Sequence, residues 1–242
     1  MDVFRREVMV DVREVDLFRR LKLSELFRIM EQTAIAHTEV LNVGRAQTFD
    51  RGIFWALLLE SVRIRRLPVY GEKIVILTWP GRTMHLFFPR FFRFETPEGE
   101  ELLSTASFWG LVDASERKMV GPDRLEAPLS AVVTGQEIPL PRKPKALPVT
   151  EETRFRVPFS YCDVNGHMNN TRYLDLVQDV TGAENETRVL TGLDIEYVNE
   201  VRPGEVMTVG CGAEGDAVYV RGDLGEKNIF RVRLTYGEEE RP

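Results

Sequence analysis

Between Asp163 and His167 the chain sets an acid, an amide and an imidazole at alternate positions. The run is Tyr161-Cys162-Asp163-Val164-Asn165-Gly166-His167-Met168-Asn169-Asn170-Thr171-Arg172-Tyr173. In an extended segment, side chains two residues apart project from the same side, so Asp163, Asn165 and His167 converge on one point. Tyr173, Leu174 and Val177 then recur at helical spacing, and a helix is expected from Asn169 or Asn170 with Asn as its N-cap. Unpaired N–H groups and the dipole at such a helix start favour negative charge. A developing oxyanion would suit that place. By composition alone the run also reads as an ordinary Asp/Asn/Gly turn leading into a cap.

The elements around this run are legible as strands and helices. Residues 4–15 read as a first strand. Ser24 is placed to cap a helix to about Leu41, with Leu26, Ile29, Met30, Thr33, Ala34 and His37 on one face. Strands follow at 53–66, 73–79, 86–94 and 102–112, with turns at Pro68 and Gly71 and at Thr96-Pro97-Glu98-Gly99. Residues 127–152 scatter five prolines among basic residues and read as a semi-rigid linker. After it the order repeats. A strand spans 154–160 and a helix runs to about Gly182; further strands lie within 189–200 and at 206–211, 217–221 and 228–236. Runs of antiparallel strands after one helix argue against βαβ winding, so pattern alone predicts two similar α+β halves. The first half carries Asp16-Leu17-Phe18-Arg19-Arg20 where the second has Asp163 to His167. The acid recurs and the amide and imidazole do not, so only the second half is expected to react.

The Asp-x-Asn-x-His-x-x-Asn run, with Tyr173 at the start of the following helix, resembles the signature of the acyl-acyl carrier protein thioesterases. That resemblance implies an α+β tandem double hot-dog, two long helices each wrapped by an antiparallel sheet. It divides the chain into an N-terminal hot-dog at 1–126 holding the acyl pocket, the linker at 127–152 and a catalytic C-terminal hot-dog at 153–242. It implies hydrolysis of acyl-acyl carrier protein by an activated water, releasing free fatty acid and terminating fatty acid synthesis. In that family a Glu shortly after a Glu-Tyr pair is catalytic, which points to Glu200 in Glu196-Tyr197-Val198-Asn199-Glu200. Plant members carry Cys next to that Glu. Val201 stands here instead, which disfavours a cysteine nucleophile. The implied catalytic set is Asp163, Asn165, His167 and Glu200, with the base left open among the two carboxylates and the imidazole. Trp55, Phe87, Phe91 and Trp109 are candidates for the acyl pocket. Arg63 and Arg65 are candidates for meeting the phosphopantetheine of an acidic carrier. Acyl-CoA hydrolysis on the same scaffold is the alternative, and a non-catalytic acyl-thioester-binding module the second.

The other reactive side chains have plainer readings. His37 lies on the apolar helix face as a core histidine, and His85 has no polar neighbour in sequence. Cys162 sits beside Asp163, whose charge disfavours a thiolate. Three histidines and two dispersed cysteines offer no ligand-spaced pair, so neither metal nor cofactor is expected.

Composition bounds the rest. The 242 residues are 43% hydrophobic and 29% charged, which suits a folded chain with a substantial core. Two cysteines point to a reducing cytoplasm. No stretch approaches the roughly 18 apolar residues of a membrane span, and a formal charge of −6 disfavours nucleic acid. A fused pair already supplies two helices, so both a monomer and a homodimer are compatible with the pattern.

Overall fold

Alternation of Phe4, Arg6 and Val8 with Arg5, Glu7 and Met9 builds strand β1, Phe4–Met9. The strand stops earlier than expected because Asp11 and Glu14 form a reciprocal capping box around a one-turn 3-10 helix at Val12–Glu14. The computed structural model describes residues 3–126, 128–134, 137–145, 149–182 and 188–237. Helix α1 spans Leu23–Val40, and its expected apolar face is buried throughout. Ser24 is not the cap: it is buried in the first turn, and the N-cap, Lys22, makes no side-chain bond. The N–H of Leu23 is instead met by Gln178 Oε1 at 2.9 Å, from the second half of the chain.

Strands β2 (Ile53–Ile64), β3 (Lys73–Pro80), β4 (Phe88–Glu95) and β5 (Glu101–Asp113) complete the first half, with a short β6 (Lys118–Val120) on β5 that the sequence did not suggest. The second half holds β7 (Glu151–Arg156), helix α2 (Arg172–Val180) and strands β8 (Val189–Tyr197), β9 (Val206–Glu214), β10 (Ala217–Leu224) and β11 (Lys227–Gly237). All lie in one antiparallel sheet ordered β1-β3-β4-β5-β2-β8-β11-β10-β9-β7. Each half therefore has the same strand order, and the two meet where β2 pairs with β8, from Leu59 opposite Glu196 to Arg63 opposite Gly192.

Both helices lie against this sheet. A single buried cluster joins α1, α2, Phe92 and Leu103 of the first half to Leu193 and Phe230 of the second. This is the expected double hot-dog with one difference: α1 has 18 residues and α2 nine. The linker is shorter than expected, since Glu151 already belongs to β7. It is also fastened. Val132 N–H donates to Pro80 O at 3.0 Å, Arg142 N–H to Ser61 Oγ at 2.9 Å, and Lys143 pairs with Glu196 at 2.7 Å.

Candidate active site

The Asp163 to His167 run is a tight turn, not an extended segment. Cys162 and Met168 form an isolated antiparallel bridge. Asp163 N–H donates to His167 O at 3.1 Å and Gly166 N–H to Asp163 O at 3.0 Å. Gly166 takes φ +80°, a left-handed conformation that favours glycine. Asp163 Oδ1 accepts from Asn165 N–H at 2.8 Å, and its Oδ2 from the Asn169 side chain at 3.4 Å. The alternation argument thus fails locally, because the chain reverses at Gly166.

His167 Nε2 lies 3.5 Å from Glu200 Oε1, and its Nδ1 lies 3.3 Å from Met168 O. The same carboxylate oxygen is 3.1 Å from Arg117 Nη1, and Arg117 Nη2 donates to Asn165 O at 2.9 Å. Arg117 comes from the turn between β5 and β6, so a first-half residue ties Glu200 to the turn. No spacing in the sequence pointed to it.

The helix start differs from the expectation. α2 begins at Arg172 with Thr171 as N-cap. Asn169 Oδ1 accepts from Thr171 N–H at 3.0 Å and Thr171 Oγ1 at 2.7 Å, and Arg172 N–H donates to Asn169 O at 3.0 Å. These two early N–H groups are already engaged, so the oxyanion place at the helix start is largely filled. Asn165 is left as the polar donor of the turn that faces open space.

That space is a cavity of about 270 Å³. Glu31, Ala34, Ile35 and Thr38 of α1 form one wall; Trp55, Phe88, Arg90 and Trp109 of the sheet form another; Asp163, Asn165 and Asn169 close one end. His167 and Glu200 stand beside this end rather than on the cavity wall. Trp55 and Trp109 line the cavity, with Trp55 edge-on to Phe88 at 5.0 Å. Phe87 and Phe91 stand elsewhere. Phe87 lies half exposed in the turn with Met84, and Phe91 alternates to the opposite face of β4, where it stacks on Trp79. Arg63 and Arg65 line a separate polar hollow with Arg93 and Glu101, and Arg65 lies 3.6 Å from Glu101.

Two acids that sequence reasoning passed over lie near the Asn169 end. Glu31 also borders a small chamber with Glu60, Asn170 and Thr171. Burial raises the Glu31 carboxyl, the charge of Asp163 raises it further, and a hydrogen bond from Asn169 opposes both. Glu60 is fully enclosed and pushed up to about 8 by burial, although Thr105 Oγ1 donates to it at 2.8 Å. Cys162 is half-buried; its thiol is raised by burial first and by Asp163 second. His37 is buried against Phe4 and Arg90 and held near 4, chiefly by burial. Among the described residues no group of acids, histidines and cysteines is arranged to hold a metal, and no helix is long and apolar enough to cross a membrane.

Fold and site together define a double hot-dog with a carboxylate–imidazole–amide cluster beside the end of a cavity of about 270 Å³. Comparison with known proteins is specific. Residues 1–123 match the family model for the acyl-ACP thioesterase N-terminal domain, and residues 145–235 match that for the C-terminal domain. The chain belongs to the acyl-ACP thioesterase family. It is 26% identical over 219 residues to the acyl-[acyl-carrier-protein] hydrolase FATB3, chloroplastic, of Cuphea viscosissima, covering 84% of this chain and 53% of that one. It is 21% identical over 216 residues to the palmitoyl-acyl carrier protein thioesterase, chloroplastic, of Cuphea hookeriana. The chain spans about half the length of these curated relatives. Its fold is similar to that of an acyl-ACP thioesterase from Bacteroides thetaiotaomicron VPI-5482, with TM-score 0.83 and 20% identity over 97% of this chain and 98% of that one. The 12:0-ACP thioesterase of Umbellularia californica gives 0.81, 20% identity and 97% of each chain.

Proposed function

We propose that this chain hydrolyses fatty acyl thioesters carried on acyl carrier protein, releasing the free acid and ending chain growth. The observation that carries the reading is the cluster of His167, Glu200 and Asn165 beside the apolar cavity, in a chain of this family. The acyl tail lies along α1 between Trp55, Phe88 and Trp109, with the thioester at the Asp163 end. The His167–Glu200 pair takes a proton from a water whose oxygen attacks the carbonyl carbon. Asn165 donates to the carbonyl oxygen as it becomes negative. The carbon–sulfur bond then breaks, and the thiolate leaves with the proton the pair returns. Asp163 keeps the turn closed through Asn165 N–H and Asn169. Val201, buried beside Glu200, offers no nucleophile.

A first hot-dog ending near 126, a second beginning with β7 at Glu151, the carrier as partner and a reducing, cytoplasmic setting belong to the same proposal; the two free cysteines support the last. Release of free thiol, followed with acyl-acyl carrier protein and acyl-CoA bearing matched chains, tests it. Faster turnover on the carrier is the expected outcome. Equal or faster turnover on CoA assigns the alternative donor, and binding of both without thiol release defeats hydrolysis altogether.

A further inference from the structure

Arg90 is out of keeping with the cavity it lines. It is 6% exposed, on β4, among Trp55, Pro80, Phe88, Pro89 and Trp109. A buried charge is ordinarily paired, because leaving water costs several kcal/mol per ion. Yet among the described residues the Arg90 guanidinium meets only neutral groups: Nη1 lies 3.1 Å from His37 Nδ1 and 3.2 Å from Thr78 Oγ1. Burial is the sole influence on it, lowering it to about 10, so it stays charged at neutral pH with no carboxylate beside it. His37, held neutral, adds no second positive charge beside it. Among the described residues Nε and Nη2 make no hydrogen bond, and neither is among the atoms sealed away without one. The fork thus keeps unmet donors that are not sealed away, on a residue that lines the cavity.

Its position along the cavity matters. Glu31 marks the end where Asn169 and Asp163 stand. His37, which meets Arg90, lies six positions further along α1, about 9 Å of helix rise. An acyl chain entering from the Asp163 end would reach the guanidinium several carbons from its thioester.

We propose that Arg90 forms an acceptor subsite, so that this chain takes acyl groups bearing an oxygen function several carbons from the thioester, a carboxylate best and a hydroxyl less well. This rests on the acyl-thioester reading of the cavity and narrows its substrate class. A carboxylate matches the planar fork and supplies the missing countercharge. A plain alkyl chain would cover the guanidinium with methylenes and leave its donors unmet.

The test uses the full chain and pantetheine thioethers, which bind without being hydrolysed, with tails of equal length ending in methyl, hydroxyl or carboxylate. Calorimetric titration across several lengths should show the carboxylate tail bound about 10- to 100-fold more tightly than the methyl tail at the best length. Arg90→Met should abolish that preference, and Arg90→Lys should retain part of it. Should Arg90→Met fail to fold, the preference of the unaltered chain decides the matter alone. Equal or tighter binding of the methyl tail at every length overturns the subsite. The corresponding thioesters separate the two proposals. Turnover of plain chains without any carboxylate preference removes the subsite and leaves the hydrolase; a carboxylate preference in binding with no turnover of any thioester does the reverse.

Discussion

The turn before α1 and the turn before α2 share one skeleton. In both, an acid opens the turn, accepts from the N–H two residues on, and is followed by a residue with positive φ: Asp16, Phe18 and Arg19 in one, Asp163, Asn165 and Gly166 in the other. Both close with a bridge, Val15 to Leu21 and Cys162 to Met168. What differs is what the acid and its neighbours do next. Arg20 occupies the place of His167 and pairs with Asp16 at 2.9 Å. Phe18 replaces Asn165 and is covered by Arg20 in a cation–π contact. The first turn is self-satisfied; the second leaves an amide at a cavity and an imidazole beside a carboxylate.

The contrast extends to the opposite helix. Glu31 stands as far after Asp16 as Gln178 does after Asp163. Gln178 reaches the start of α1 at Leu23, while Glu31 meets Asn169 just ahead of α2. The two halves exchange equivalent contacts, with an amide facing the closed turn and a carboxyl facing the open one. Duplication kept the scaffold on both sides, and chemistry is expected on one.

Substitutions can separate the two turns. His167→Ala or Glu200→Ala should lower thiol release about 10²- to 10⁴-fold with little change in melting temperature. Asp16→Asn should leave thiol release unchanged while costing about 1–2 kcal/mol in denaturant unfolding, since its ion pair and N–H contacts only hold the fold. Equal losses of activity from both would end the distinction. Glu31→Ala removes one of the contacts that hold Asn169 and should cost about 10- to 100-fold in kcat through misplacement of the turn. Glu31→Gln, which copies Gln178, should recover most of that loss.

Glu60 sharpens the comparison through pH. Its carboxyl is at about 8 when folded, against an ordinary value of 4.5. Between those values the unfolded chain has released the proton and the folded chain retains it, so stability falls as pH rises. Glu60→Gln should match the parent near pH 4 and exceed it by an amount on the order of a few kcal/mol at pH 8, read from urea unfolding. A constant difference across pH would refute the buried proton. The smallest effect concerns the positive-φ positions. Gly166→Ala meets no neighbour within 4 Å, so backbone strain alone should cost about 1 kcal/mol. Arg19→Gly, at φ +64°, should be close to neutral because relief of strain and added chain freedom oppose each other.

The succession of strands and helices along the chain and the apolar face of α1 were readable because period 2 and period 3.6 survive in the local sequence. Asp163, Asn165, His167 and Glu200 were readable as a constellation because three are adjacent and the resemblance supplied the fourth. Their geometry was not: one glycine with positive φ reverses the segment, and no alternation rule anticipates that. Arg117, Glu31 and Arg90 were missed for a different reason. Each acts at the site from another element, and isolated charges on a helix, a turn or an aromatic strand carry no spacing signal. Phe91 shows the same limit in reverse, since which side of β4 meets α1 depends on packing that sequence does not print.

The seam between β2 and β8 sets how the chain can be divided. Backbone pairing runs across it without interruption, and Ser61 hydrogen-bonds Asp194 directly over the join. A fragment cut at the linker would carry a raw, unpaired border along β2 or β8, and the readiest cover for it is the same border on another fragment. Severed halves would thus couple like with like, and an assembly made only of first halves would have two sealed turns and neither His167 nor Glu200.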